Sequence, residues 1–326
     1  MSVTTKELAE ICNVSRRTVT RALSGNGRIS EKTKQMILAK AQELEYEPDL
    51  LARSLVKGRS MSIGVVLCDL KNMYFPKAIN AMEAVAREED YVLNIMLHDN
   101  DKEIEKEIIR RLNGHKVDGL ILDPACNDIS NYTYLKKYSF PTLVVGGMPL
   151  DGYPYVGNNE FEAGKDAACE IADKGYQLLY FVFPEMDKQG TSFGGHMERL
   201  NGIKAAAEEK GIECKILGSS NYLDEALRII ETEKREVAFL CSGDIYAAYI
   251  MMRLAEAGFT AGIDYGIMGF DNLDIMEMFS RKLTTVENNI ESFGRTTMEF
   301  LIRMIKKQES ASTIYIPHNI VKGETL

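Results

Sequence analysis

No apolar run in this 326-residue chain approaches the roughly 18 residues that a helix needs to cross a bilayer. The first residues also lack the apolar core of a secretion signal. Both absences lead us to expect a cytoplasmic protein with no membrane contact. The six cysteines (12, 68, 126, 169, 214 and 241) are scattered and form no CxxC pair. This argues against a disulfide framework or a zinc site and fits a reduced compartment. The four histidines stand far apart, at 98, 115, 196 and 318. His196-Met197-Glu198 has the first half of a zinc-deaminase signature, but no PCxxC follows. No GxGxxG opens a helix after a strand, and no Walker-type GxxxxGKS/T occurs, so nucleotide sites are unsupported. We therefore expect no cofactor, no metal and no enzymatic activity.

What the chain does have is an uneven charge. It is acidic overall, with formal net charge -9, and its 45% hydrophobic and 27% charged residues are those of an ordinary globular protein. Residues 1–60 nonetheless hold 11 Lys and Arg against 7 Asp and Glu, whereas the remainder holds 28 against 41. A small basic head on a large acidic body points to a polyanion met by the head alone.

The head reads as three short helices. Thr4 and Glu7 form a capping box, and Leu8, Ala9, Ile11 and Cys12 make the apolar stripe of the helix that follows. Ser15 can cap a second helix over "VSRRTVTRAL", in which Val19, Ala22 and Leu23 share one face while Arg17, Thr20 and Arg21 share the other. Ser30 caps a third, with Ile37, Ala41 and Leu44 at helical spacing. Two short helices joined by a tight turn, over a third, form a helix-turn-helix unit whose second helix fits a DNA major groove. Arginine can bond both guanine acceptors there, and hydroxyls suit phosphates. A solvated basic helix touching nothing is the bland alternative. The next stretch, "YEPDLLARSLVKGRS", offers a helix of about seven residues, too short to be stable alone. Its exposed Leu51 and Leu55 beside Arg53 and Lys57 suit a minor-groove wedge better than a plain linker.

From residue 61, apolar strand candidates (for example 63–67, 119–122 and 237–241) alternate with amphipathic helices, the pattern of parallel sheets covered on both faces. The length calls for two lobes with a cleft between them, and ligands in such folds sit beyond the carboxyl ends of strands. Polar residues at those ends include Asp69, Asn72, Asp123, Gly146-Gly147, Ser242-Gly243-Asp244 and Asp271-Asn272. The segment from Phe183 to His196 reads as a polar loop on the cleft rim.

"TTKELAEICNVSRRTVTRALSGNGRISEKT" resembles the N-terminal signature of the lactose/galactose repressor (LacI/GalR) family of bacterial transcriptional regulators, and "LARSL" resembles its hinge helix. The resemblance covers nearly the whole chain. It implies an α/β protein with a helix-turn-helix head (1–46), a hinge helix and linker (47–60), and a two-lobed periplasmic-binding-protein-like domain with parallel sheets (61–326). The chain would cross between lobes near Gly157, Glu287 and Pro317. Lobe 1 would then hold about 61–157 and 287–316, and lobe 2 about 158–286 and 317–326. The implied DNA contacts are Thr5, Ser15, Arg16, Arg17, Thr18, Thr20, Arg21, Arg28 and Leu55. The implied effector contacts are Asn72, Tyr74, Phe75, Arg199 (in "RLNG"), Tyr222, Asp244, Asp271 (in "GFDN") and Asn288. Gly243, Gly146 and Asn159 stand where the family often has Asn or Asp, so no particular sugar follows.

The function expected is a transcriptional regulator, a repressor, that binds a pseudo-palindromic double-stranded DNA operator as a homodimer. A small molecule between the lobes, a sugar or sugar derivative, would control operator affinity. Control by a protein corepressor is the alternative, and a sugar-processing enzyme with an appended head a further one. No leucine-heptad tail follows "IVKGETL", so the lactose repressor's tetramerising device is not expected.

Overall fold

A computed structural model of the chain describes residues 3–24, 29–46, 59–126, 128–184, 194–308 and 312–326. Arg28, Leu55 and nearly all of the expected hinge, 47–58, lie outside the described residues. The chain divides into two compact units, Met1–Met61 and Ser62–Leu326.

In the first unit, helix α1 (Thr5–Ile11) begins at the capping box: Glu7 N donates to the Thr4 hydroxyl at 3.2 Å, and Thr4 N to the Glu7 carboxylate at 2.7 Å. Asn13, at φ 50, turns the chain through the left-handed region that asparagine tolerates. Helix α2 (Arg16–Ser24) then starts under Ser15, whose hydroxyl accepts from Thr18 N at 3.1 Å. Helix α3 (Glu31–Glu43) starts likewise under Ser30. Leu8, Ala9, Val19, Ala22, Ile37 and Ala41 close one small core, so each helix spends its apolar stripe on the other two.

The second unit contains two six-stranded sheets. Its first sheet runs β11-β5-β4-β3-β1-β2, from β1 (Ser62–Leu67), β2 (Val92–Leu97), β3 (Gly119–Leu122), β4 (Thr142–Val145), β5 (Tyr155–Asn158) and β11 (Thr313–Ile316), all parallel. Its second runs β12-β10-β9-β8-β6-β7, from β6 (Leu178–Val182), β7 (Glu213–Leu217), β8 (Val237–Cys241), β9 (Gly266–Phe270), β10 (Thr284–Glu287) and β12 (Asn319–Val321). The sheets are parallel as expected, except that β12 at the edge of the second pairs antiparallel with β10. Helices α4 (Tyr74–Glu88), α5 (Lys102–Gly114) and α10 (Ile290–Ile305) serve the first sheet. Helices α6 (Glu160–Asp173), α7 (Gly194–Lys210), α8 (Tyr222–Thr232) and α9 (Asp244–Glu256) serve the second. Central strands such as β3 and β8 are buried along their whole length, because helices cover both faces.

The chain passes from the first sheet to the second after Asn158, returns after Glu287 and leaves again after Ile316. One side chain clasps these passages: Asn158 Nδ2 donates to Asn288 O at 3.1 Å and to Ile316 O at 3.2 Å. Asn289 Nδ2 adds a bond to Pro317 O at 2.6 Å.

Candidate functional site

Two places carry the chemistry. On α2, Val19 and Ala22 face the core, which turns Arg16, Arg17 and Thr20 outward to solvent. Ser15 is also exposed, while Thr18 and Arg21 are half-buried. No carboxylate occurs between Glu10 and Glu31, so nothing along α2 itself offsets its three arginines. Thr20 Oγ1 donates to Arg16 O at 3.0 Å and Ser15 caps the helix, which leaves hydroxyl lone pairs and the exposed Arg16 and Arg17 guanidinium groups for an outside partner. Thr5 is only partly available, because its hydroxyl bonds the Tyr46 hydroxyl at 2.8 Å and ties α1 to the segment after α3.

The second place is a cavity of about 360 Å³ in the second unit, lined from the ends of strands in both sheets. It brings together six of the expected residues: Asn72, Tyr74, Phe75, Arg199, Asp271 and Asn288. Arg199, 4% exposed, is fixed on three sides. Its Nε and Nη2 reach the Glu160 carboxylate at 2.8 and 2.7 Å, Nη1 donates to Ser242 O at 2.8 Å, and its guanidinium carbon lies 3.7 Å from the Phe270 ring centre. The small residues of α6 and α7 make this possible. A Cβ at Gly164 would overlap Arg199 O and one at Gly202 would overlap Phe161 O, so the glycine of "RLNG" sets how closely these helices pack.

Asp271, at φ 101, occupies a backbone region few L-residues adopt. Asn288 Nδ2 donates to its carboxylate at 2.9 Å. Burial raises its pKa, with Arg199 and Asn288 opposing. Asp244 stabilises that strained turn from behind, accepting from Leu273 N at 2.7 Å and Thr285 Oγ1 at 2.6 Å. Burial first, then Asp271, push the Asp244 carboxyl up to about 8.

Two expected effector contacts are thereby corrected. Asp244 is fully buried beneath the turn and does not line the cavity. Tyr222 begins α8 but packs into the core of the second sheet, 8% exposed, with its ring edge-on to Tyr246 at 6.0 Å. A platform for a ligand it is not.

The cavity also contains residues not singled out as contacts. Asp123, at the end of β3, stands beside Gly146, at the end of β4. Gly146 has φ 81, and any Cβ there would run into the Asp123 carboxylate. The family's aspartate position on β4 is thus vacated in favour of an acid one strand over. Burial pushes the Asp123 carboxyl up to about 7, against a hydrogen bond from Cys68 that lowers it. The loop carrying it is held twice. His98 Nδ1 accepts from Asn100 N at 3.1 Å, so Nε2 carries the proton and donates to Asp123 O at 2.9 Å. Glu105, 1% exposed, accepts from Ala125 N at 2.7 Å and from the Tyr132 and Tyr134 hydroxyls at 3.3 Å each. His196 is no loop residue: it lies in the first turn of α7, stacked on Phe183 with ring centres 4.4 Å apart, and burial lowers its pKa to about 3. It is neutral.

The description "Bacterial regulatory proteins, lacI family" matches residues 4–49, and "Periplasmic binding protein-like domain" matches residues 170–326. The chain thus carries a lacI-family helix-turn-helix domain followed by a periplasmic-binding-protein-like domain. Full-length relatives include the HTH-type transcriptional repressor PurR of Vibrio atlanticus (strain LGP32), 27% identical over 99% of this chain and 98% of that protein. The ribose operon repressor of Halalkalibacterium halodurans is 28% identical over 99% and 96%. The lac repressor dimer solved with operator and the anti-inducer ONPF shares the fold, with TM-score 0.87 at 20% identity over 100% of this chain and 99% of that one. The protein is a DNA-binding transcriptional regulator and not an enzyme. The segment Gly190-Thr191-Ser192-Phe193-Gly194 spells the GxSxG of a hydrolase elbow. An elbow serine follows its strand at once, whereas β6 ends at Val182, well before Ser192. Among the described residues no His, Cys, Asp and Glu cluster could hold a metal ion, and no helix is long and apolar enough to cross a membrane.

Proposed function

We infer that this regulator is a cytoplasmic, homodimeric repressor whose α2 helices read two half-sites of a pseudo-palindromic operator, under the control of a sugar-like effector in the cavity. The carrying observation is the pairing of two built features in one chain. One is a helix whose apolar face is consumed by its own core and whose outer face holds arginines and hydroxyls. The other is a cavity lined from two lobes by a fixed Arg199, Asp271 and aromatic rings. Arg16 and Arg17 are assigned to base edges, with guanine favoured, and Ser15, Thr18, Thr20 and Arg21 to phosphates. Arg199, Asp271, Asn72 and Asn288 are assigned to the polar atoms of the effector, and Tyr74 and Phe75 to its apolar face. A cavity of about 360 Å³ supports a small molecule as the controlling partner over a protein corepressor.

Closure of the lobes around a ligand supplies the two-state element that couples the cavity to the operator. The edge strand β2 exposes Val92, Ile95 and Leu97, and we assign this strip to the contact with a second copy. The test is selection from a randomised DNA pool, followed by anisotropy titration with and without candidate sugars. An enriched palindrome whose affinity shifts with ligand is the expected result. No sequence preference, or no ligand effect from any sugar that binds, overturns the reading.

A further inference from the structure

The cavity's internal hydrogen bonds leave acceptors over. Four carboxylates line it, Asp69, Asp123, Glu160 and Asp271, against two cations, Lys71 and Arg199, while His196 stays neutral. Lys71 is shared between Asp69 and Asp99, at 3.5 and 3.7 Å. Arg199 gives its fork to Glu160. Asp123 and Asp271 remain, one from each lobe, and among the described residues no basic side chain bonds either of them. Nor is the surplus only ionic. Asn288 Oδ1 and Ser242 Oγ, in side chains 1% and 4% exposed that line the same cavity, find no hydrogen-bond partner in the protein. An acceptor buried without a donor, as Asn288 Oδ1 is, is costly unless a ligand supplies one, while the Ser242 hydroxyl can accept or donate.

The apolar wall points the same way. Tyr74, Phe75, Phe183, Tyr246 and Tyr249 line the same cavity as these acids. Aromatic faces carry negative potential, so rings and unpaired carboxylates together favour a cation with hydrophobic faces.

Resting on the reading of this cavity as the effector site, we propose that the effector is an amino sugar or a similar polyhydroxylated amine, its ammonium held between Asp123 and Asp271. An ammonium brings three donors and each hydroxyl one more, which matches a site short of donors. The carbon face of the ring covers the aromatic wall. A cation held by carboxylates of both lobes bonds more fully when the lobes close, so this class of ligand favours the closed arrangement. A phosphorylated sugar would add negative charge to the same place.

The test is titration calorimetry on the full-length protein near neutral pH, with glucosamine, galactosamine and mannosamine. Each is run beside its neutral hexose, its N-acetyl derivative and its phosphate ester. At least one amine is expected to bind tenfold or more tightly than its hexose and its N-acetyl form, and Asp123→Asn to erase that advantage. The comparison of amine with N-acetyl form on the unmodified protein decides the matter even if the variant folds poorly. Amines that bind no better than hexoses, a preference for a phosphate ester, or no binding across the panel overturns the proposal. Operator anisotropy on the same samples separates the two levels of inference. A neutral sugar that binds and shifts operator affinity sinks the amine and keeps the cavity as effector site; sugars that bind without any shift sink the effector site itself.

Discussion

Arginine plays opposite parts in the two units. Arg16 and Arg17 stand exposed on α2, and among the described residues neither makes an ion pair. Arg199 is buried, bound to a carboxylate and a carbonyl, and stacked on a ring. The first arrangement gains little for the fold and keeps its N–H groups for a partner. The second gives up most of that capacity to fix the shape of a cavity. A residue type and a family motif therefore do not fix a role: the surroundings decide how much of an arginine is left for a ligand.

The sharpest way to break this comparison is salt. Operator affinity should fall about 10³- to 10⁵-fold between 50 and 200 mM salt if the two heads together neutralise six to ten phosphates, because exposed arginines release condensed counterions. Effector affinity measured over the same range should move far less, since Arg199 is shielded from solvent. A flat operator response would remove DNA as the partner of α2.

Next in size is Arg199→Ala, which strands the largely buried Glu160 carboxylate and should cost about 3–5 kcal/mol of stability in the second unit, read by calorimetric melting. Effector response should vanish with it. A variant that melts normally would mean that the Glu160 pair frames nothing.

Acid titration comes third. Glu105 has its folded pKa raised to about 7 from a reference of 4.5, mainly by burial, so the folded state holds its proton longer than the unfolded one. Its contribution to stability is full below pH 4.5 and is lost as pH rises to about 7, an effect on the order of 3 kcal/mol. Asp244 adds the same sign of change up to about pH 8. Glu105→Gln should flatten the fall in melting temperature between these pH values; an unchanged slope would mean that Glu105 ionises without penalty.

Smallest is Arg17→Ala, expected to cost about 1–3 kcal/mol of operator binding at particular base positions and nothing in melting temperature. Uniform weakening over all sequences would make Arg17 a phosphate contact instead.

The sequence made the head legible down to its caps, because Thr4, Glu7, Ser15 and Ser30 act on neighbours three residues away. It likewise marked the buried strands β1, β3 and β8, which are continuous apolar runs. Short strands escaped notice: β5, "YVGN", mixes apolar with polar residues, and β12 spans three. In the cavity, Arg199 and Asp271 were legible from their motifs, whereas Asp123 was visible only as a polar strand end. Its importance depends on the empty space at Gly146, on a neighbouring strand, and no local pattern connects the two. Tyr222 erred in the other direction, since an aromatic residue after a strand looks the same whether it faces a ligand or a core.

The clasp at Asn158 makes the edge of each sheet a fulcrum. The connecting strands β5 and β11 sit at one margin of the first sheet, and β2 lies at the other, five strand spacings from β11. At about 4.8 Å per spacing that lever is roughly 24 Å long. A lobe rotation of about a tenth of a radian, around an axis through the clasp and along the strands, would barely disturb Asn158 yet carry β2 through about 2 Å. The strip assigned to the second copy thus rides at the long end of the arm, where a modest tightening around an effector arrives magnified.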